Sequence, residues 1–333
     1  MRRFATIVVV VLVLVGVGFK KSLTPVALQK NENGDLVLGL HAPLMLSVRF
    51  VNFVMEPFKR QLLPINEEII RKLALAKGEN LSNFIGTEIM DSRGLEFVLS
   101  DIDANTHFLG RFLSREQLAT SLALQWRLSQ IIESHPEVLE EQIMAPLVLT
   151  GLPRSGTTYF YQLLADSGLG FRFPRVWEAF GGSPVPLKAL RPEDVASERD
   201  PRVIKARSSL ELLKSVPSAF ALHEWHGLME PEEELAWFVP SFAALRIDSL
   251  ALLIRMMQTD PHVKYRFLKR VLQVAQWENW VLTGERPRWL LKAPEHLSTL
   301  NALVAIFPDV KLVTITRDEI TTFKSLVIWI HYF

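Results

Sequence analysis

Cysteine is missing altogether from these 333 residues, which excludes disulfides, thiolate metal sites and cysteine nucleophiles. The absence does not fix a compartment, because a chain with a large core holds together without disulfides. An excess of either charge is missing too: 37 basic residues face 36 acidic ones, for a net charge of +1. That balance gives no bulk reason to expect a nucleic-acid partner, and any anion site has to be built locally. Repeats and low-complexity tracts are lacking as well. Long apolar runs are scarce, but the N-terminus carries one: "FATIVVVVLVLVGVGF", Phe4 to Phe19, uncharged and bracketed by Arg2, Arg3, Lys20 and Lys21. A spanning helix takes about 20 apolar residues, and lysines that snorkel make up a small deficit. The run is read as an uncleaved single-pass anchor within residues 1–22, with a signal peptide as the alternative. The flanking charges leave its orientation open. One glycosylation sequon, Asn80-Leu81-Ser82, fits either reading.

Nearly half the residues are apolar, enough for a sizeable core. "LMLSVRFVNFVM", ending at Met55, is expected to pack as a helix, with a place on a membrane surface as the alternative. Residues 65–77 and 114–135 read as amphipathic helices, the second opening on a Ser114-x-x-Gln117 capping pattern. The texture changes at Pro146. "PLVLTG" is a short apolar run entering a glycine loop, and "TTYFYQLLADSG" reads as a helix closed by Gly168. "RWLLKAP" (288–294) leads into a helical pattern over Glu295 to Phe307. "VKLVTITRD" (310–318) leads into another. Strands alternating with helices predict a parallel sheet. The expected fold is therefore α/β: a P-loop-like parallel sheet flanked by helices in residues 141–333. A helical insertion is expected at about 190–283. A mainly helical region, 23–140, is expected to pack on this core. In such sheets ligands sit beyond the carboxyl ends of the strands, so the polar residues following each run are the ones to examine.

The loop "GLPRSGTT" keeps the G-x-x-x-x-G spacing of a nucleotide-binding loop in Gly151 and Gly156, but Thr157 stands where the lysine belongs and Thr158 follows. A glycine turn opening a helix offers backbone N–H groups to an anion. Arg154 adds a planar guanidinium suited to phosphate or sulfate oxygens. Without the lysine, and with Arg317 beside Asp318 after the last apolar run, the site reads as metal-free, its cations supplied by side chains. His223 and His226 lack a nearby third ligand, so no metal is expected there either.

Three elements together resemble the sulfotransferases that use 3′-phosphoadenosine 5′-phosphosulfate. "PRSGTT" is similar to their 5′-phosphosulfate loop. Arg317 with Ser325 eight residues on, in "TRDEITTFKS", matches their 3′-phosphate pair. "LLKAPEHLSTLNALVAIFPDVKLVTITRD" (290–318) is similar to the stretch linking a catalytic lysine to the 3′-phosphate strand in tyrosylprotein and bacterial-type enzymes. "VWEAF", "DPRV", "PEEELAW" and "YRFLKRVLQVAQW" resemble the bacterial-type branch, and the resemblance spans about residues 145–330.

The resemblance implies transfer of a sulfuryl group to a hydroxyl or amine of a small-molecule, carbohydrate, lipid or peptide acceptor. Arg154, Ser155, Gly156, Thr157, Thr158 and Lys292 are then expected at the 5′-phosphosulfate, and Arg317 and Ser325 at the 3′-phosphate. Lys292 doubles as a catalytic residue. The general base is left between Glu178 and His223. Trp225, Trp237, Phe238 and Phe242 are candidates for an acceptor pocket. The chain stops at Phe333, eight residues after Ser325, where family members continue into a segment that closes over the nucleotide. A catalytically impaired, nucleotide- or partner-binding relative is accordingly a second expectation, and a P-loop kinase a third.

Overall fold

The computed structural model describes residues 29–30, 36–37, 42–77, 92–181, 183–185, 190–214, 227–234 and 260–332. The apolar run at 4–19, the Asn80 sequon, His223, His226, Trp225, Trp237, Phe238 and Phe242 lie outside them. Among the described residues no helix is long and apolar enough to cross a membrane.

A three-stranded sheet, β3 (Leu147–Gly151), β4 (Leu290–Lys292) and β5 (Lys311–Ile315), carries the architecture, in the order β4-β3-β5. (β1, Gln29–Lys30, and β2, Leu36–Val37, form a separate antiparallel pair.) All three strands are parallel. Leu149 pairs with Lys292 on one side of β3, and Gly151 pairs with Ile315 on the other. The three chains that leave the sheet at residues 151, 292 and 315 therefore leave from one edge.

Both faces of β3 are buried, as its unbroken apolar run demands. Alternation sends Val148 and Leu291 into one core and Leu149 and Leu290 into the other. The first core is filled by α8 (Pro261–Thr283) and α9 (Leu300–Ile306), with Leu124, Leu128 and Ile131 of the long helix α4 (Phe108–Ser134). The second is capped by Tyr161 of α5 (Thr157–Ala165) and by Phe171 and Phe173. The N-terminal part has its own cluster, where α2 (Glu67–Lys77) and α3 (Ser92–Asn105) pack Ile70, Ala74, Val98 and Ile102 against Leu118 and Leu122 of α4. α1 (Ala42–Met55) precedes them. α6 (Val176–Gly181) and α7 (Pro201–Lys214) pack together beside the sheet, and α10 (Glu319–Tyr332) ends the described chain.

Two local expectations need correction. Ser114 is no helix cap: α4 starts at Phe108, because "FLGRFL" continues the helix upstream and Asn52 Oδ1 accepts the Leu109 N–H at 2.9 Å. Ser114 is buried inside the helix. The helix expected over Glu295–Phe307 is split into a 3₁₀ segment, Pro294–Ser298, and α9, with the Thr299 backbone out of helical geometry between them. The stretch ending at Met55 forms α1 as expected, with Val51 buried and Phe50, Phe53 and Val54 facing outward.

Candidate active site

The loop after β3 is shaped by three residues with positive φ. Gly151, at φ 157°, admits no side chain: a Cβ there would stand 2.4 Å from the Ile315 carbonyl oxygen of the neighbouring strand. Gly156, at φ 98°, occupies the N-cap of α5. Between them Arg154 holds φ 72°, a left-handed conformation that costs a non-glycine residue on the order of 1–2 kcal/mol. No side chain caps α5, so its first N–H groups open into the loop. Ser155 and Thr157 are buried, and Ser155 Oγ has no hydrogen-bond partner among the described residues.

Lys292 ends β4 with its side chain sealed, 1% exposed. Its ammonium donates to Thr158 Oγ1 at 3.1 Å, is ion-paired to Glu233, and stands 5.8 Å from the Tyr161 ring centroid. Its backbone N–H donates to Glu234 Oε2 at 3.0 Å. Two consecutive carboxylates thus grip one lysine, Glu233 by its side chain and Glu234 by its main chain. Behind them runs a chain of polar groups, buried as far as Tyr265. His296 bridges Glu234 and the Tyr265 hydroxyl, the latter at 2.8 Å, and Tyr265 contacts Thr299 Oγ1 at 2.7 Å. Burial alone would raise the Glu234 carboxyl, but the His296 ring and backbone N–H groups outweigh it and hold this acid below its usual range. Glu295 goes the other way: burial pushes it up to about 7, against the opposing pull of His296 and Lys264 and with Glu234 and Glu233 adding to the rise. Its Oε1 has no hydrogen-bond partner among the described residues.

Arg317 follows β5 by two residues and is exposed. Asp318 caps α10, accepting the Thr321 N–H at 2.8 Å and the Thr321 hydroxyl at 2.6 Å. These bonds hold the Asp318 carboxyl below its usual range. Ser325 lies two turns into α10, and its Oγ receives a hydrogen bond from Arg154 Nε at 3.1 Å. The loop after β3 and the helix after β5 therefore touch. Among the described residues, no group of three or more histidine, aspartate or glutamate side chains is arranged to hold a metal ion.

Glu178, one of the two expected bases, is held in an ion pair. It is buried, its two oxygens are held by the Arg172 guanidinium, and Oε2 also accepts the Arg175 N–H at 2.8 Å. A carboxylate so occupied ties α6 to the segment that bridges Trp289 at the start of β4. Three of its roughly four acceptor positions are thereby taken. The rival base, His223, lies outside the described residues. Sequence reasoning missed Glu233, Glu234 and His296. The available signals were three successive acids in "PEEE" and a histidine four residues after Lys292, neither of which names its partner.

The family model described as the sulfotransferase family matches residues 146–331, more than half of the chain. No curated protein matches. Among solved structures, the chain is similar to sulfotransferase STF9 from Mycobacterium avium, at 24% identity and a TM-score of 0.63, over 79% of this chain and 65% of that one. It is also similar to sulfotransferase STF1 from Mycobacterium tuberculosis H37Rv, at 22% identity and a TM-score of 0.59, over 76% of this chain and 67% of that one. The chain thus spans about two thirds of the length of these mycobacterial structures, and at such identities the likeness is one of fold.

Proposed function

The chain belongs to the sulfotransferase family, and from that premise we propose that it transfers a sulfuryl group from 3′-phosphoadenosine 5′-phosphosulfate to a hydroxyl or amine of an acceptor, by in-line displacement and without a metal ion. The observation that carries this reading is the 3.1 Å contact between Arg154 and Ser325. It brings the glycine loop expected to hold one end of the nucleotide against the helix expected to hold the other. The buried, unpartnered Ser155 hydroxyl, the uncapped start of α5 and the open space beside Gly156 fit an oxyanion.

The donor, when bound, supplies an activated sulfuryl group whose bond to phosphate breaks as the acceptor attacks sulfur. In this reading Arg154, Ser155, Thr157, Thr158 and the N–H groups of α5 hold the 5′-phosphosulfate, and Arg317 and Ser325 hold the 3′-phosphate. Lys292, fixed in place before any ligand arrives, supplies positive charge where negative charge grows. Glu233, in contact with Lys292, takes the proton that the acceptor sheds. The acceptor is a small molecule, carbohydrate, lipid or peptide. The stretch 290–318 favours a bacterial-type or tyrosylprotein-like branch. Residues 4–19 are proposed to anchor the protein in a membrane, facing the lumen of the secretory pathway if the source is eukaryotic.

Thermal unfolding with and without ligands tests the reading. Adenosine 3′,5′-bisphosphate without Mg²⁺ is expected to raise the melting temperature, with about 2.7 kcal/mol of stabilisation at a hundred times its Kd. A rise with ATP and Mg²⁺ but none with the bisphosphate would overturn it in favour of a nucleoside-triphosphate enzyme. Binding of the bisphosphate with no labelled sulfate passed to a mixed acceptor pool would leave a nucleotide-binding protein in its place.

A further inference from the structure

The most exposed large apolar side chains of the N-terminal helices are not scattered. Phe50 and Phe53, 64% and 79% exposed, lie three residues apart on α1 with Val54 beside them, so they form one stripe along the helix. Phe58 continues it past the helix end, also exposed. The Asn52–Leu109 hydrogen bond fastens α1 to the first turn of α4, and there Phe112 and Leu113, the latter 64% exposed, flank Leu109 on the α4 surface. Monomeric proteins seldom leave such a cluster open to water without using it.

The accessible charge around the cluster is slightly positive. Arg49, exposed at the flank of the stripe, Lys59 and Arg60 stand against Glu56 and Asp103, while Arg111 is buried. Both acids are engaged: Glu56 by Lys59 at 2.7 Å, and Asp103 by Arg60 at 3.0 Å and by Arg111. α1 is also the first helix after the apolar run at 4–19. The 22 residues between Phe19 and Ala42 reach at most about 80 Å fully extended, and the pairing of β1 with β2 doubles part of that length back.

We propose that this face of α1 and α4 lies on the surface of an anionic lipid bilayer. Phe50, Phe53, Phe58, Phe112 and Leu113 enter the headgroup–acyl boundary, and Arg49 meets the lipid phosphates. The side chains are of the kind that holds interfacial helices: aromatic and branched apolar groups below, guanidinium groups at the rim. The consequence is orientation, because the body of the protein then rests against the membrane in one fixed attitude. The proposal does not depend on which reaction the sheet edge catalyses.

The absence of cysteine makes the test site-specific. In the full-length chain, Phe53→Cys labelled with an environment-sensitive nitrobenzoxadiazole is compared with Met144→Cys, another exposed apolar site beyond the far end of α4, about 40 Å of helix away. On vesicles of phosphatidylcholine and phosphatidylserine, emission from position 53 should rise several-fold, shift to the blue and be quenched by a lipid-borne spin label, while position 144 stays unchanged. Arg49→Gln should weaken the response about fivefold, as expected for about 1 kcal/mol per basic residue near an anionic surface.

Four results overturn the proposal. The protein floats with the vesicles yet the label at 53 stays in water, leaving an anchor alone. The label is apolar without lipid at every protein concentration, meaning that a segment of the chain itself covers the face. The signal follows protein concentration rather than lipid, meaning that a second copy does. Or the protein does not float at all.

Discussion

Lys292, Ser155 and Thr157 sit buried where β4 and β3 end, whereas Arg317 lies exposed and Ser325 half-buried on the side of β5. The strands differ in the same way. β3 is buried along nearly all its length and paired on both sides, while β5 has no buried residue and is exposed at Lys311, Leu312 and Thr314, and among the described residues no strand pairs with its outer edge. The two halves of the site consequently work by different physics. The β3–β4 half has met the desolvation cost of its charges during folding and holds them with fixed partners, so its groups are preorganised for charge that develops in a reaction. The β5 half keeps its cation in solvent, where attraction to an anion is screened by salt and contributes to affinity more than to stability.

The sharpest way to break this comparison is Lys292→Ala. Loss of the buried ammonium strands Glu233 and should cost about 3–5 kcal/mol of stability, with sulfuryl transfer falling on the order of a hundredfold or more. Chemical denaturation and labelled-donor turnover measure the two. A stability loss no larger than that of a surface substitution would erase the distinction between the halves.

The paired change sharpens it. Arg317→Ala should leave stability within about 0.5 kcal/mol, yet weaken adenosine 3′,5′-bisphosphate binding about tenfold with 5′-AMP unaffected, since a charge-assisted contact is worth about 1.5–3 kcal/mol. Arg154→Gly relieves a left-handed arginine and should raise stability by about 1 kcal/mol while weakening both nucleotides. Calorimetric titration with the two ligands reads the difference. Equal losses for bisphosphate and monophosphate in Arg317→Ala would detach that residue from the 3′ end.

The smallest effect is one of pH. Glu295 is pushed up to about 7 from 4.5, so the folded chain binds a proton more tightly than the unfolded one. Its stabilising contribution is full below pH 4.5 and is lost as pH rises through 7. Glu295→Gln should therefore flatten the fall in stability between pH 5 and 8, by on the order of 1 kcal/mol. Glu278, which burial also raises to about 7, remains as the residual slope. An unchanged pH profile in the variant would show Glu295 to be ionised in the folded protein at neutral pH.

Much of the framework is legible in the chain itself. The strand, glycine loop and helix at 147–165 follow from an apolar run, two glycines and a helix-forming stretch, all local signals. The shared edge of Gly151, Lys292 and Arg317 follows from parallel pairing, which alternating strands and helices already imply. Other residues misled. Ser114 showed a capping pattern, yet the helix runs through it, because a side chain 62 residues earlier, Asn52, completes the true start. For Glu178 the chain gives a carboxylate after the loop's helix, and only the fold shows that it pairs with Arg172.

By itself, then, the amino-acid order determined the backbone of the site: where the chain must turn, which turns exclude a side chain, and which strand ends carry a cation. Only the tertiary structure decided which acid each cation meets. Lys292 and Glu233 are 59 residues apart, and His296 and Glu234 are 62 apart. Periodicity reports only on neighbours within a few turns. Contacts across such spans are set by how helices and sheet pack, and by the demand that no buried charge go unpaired.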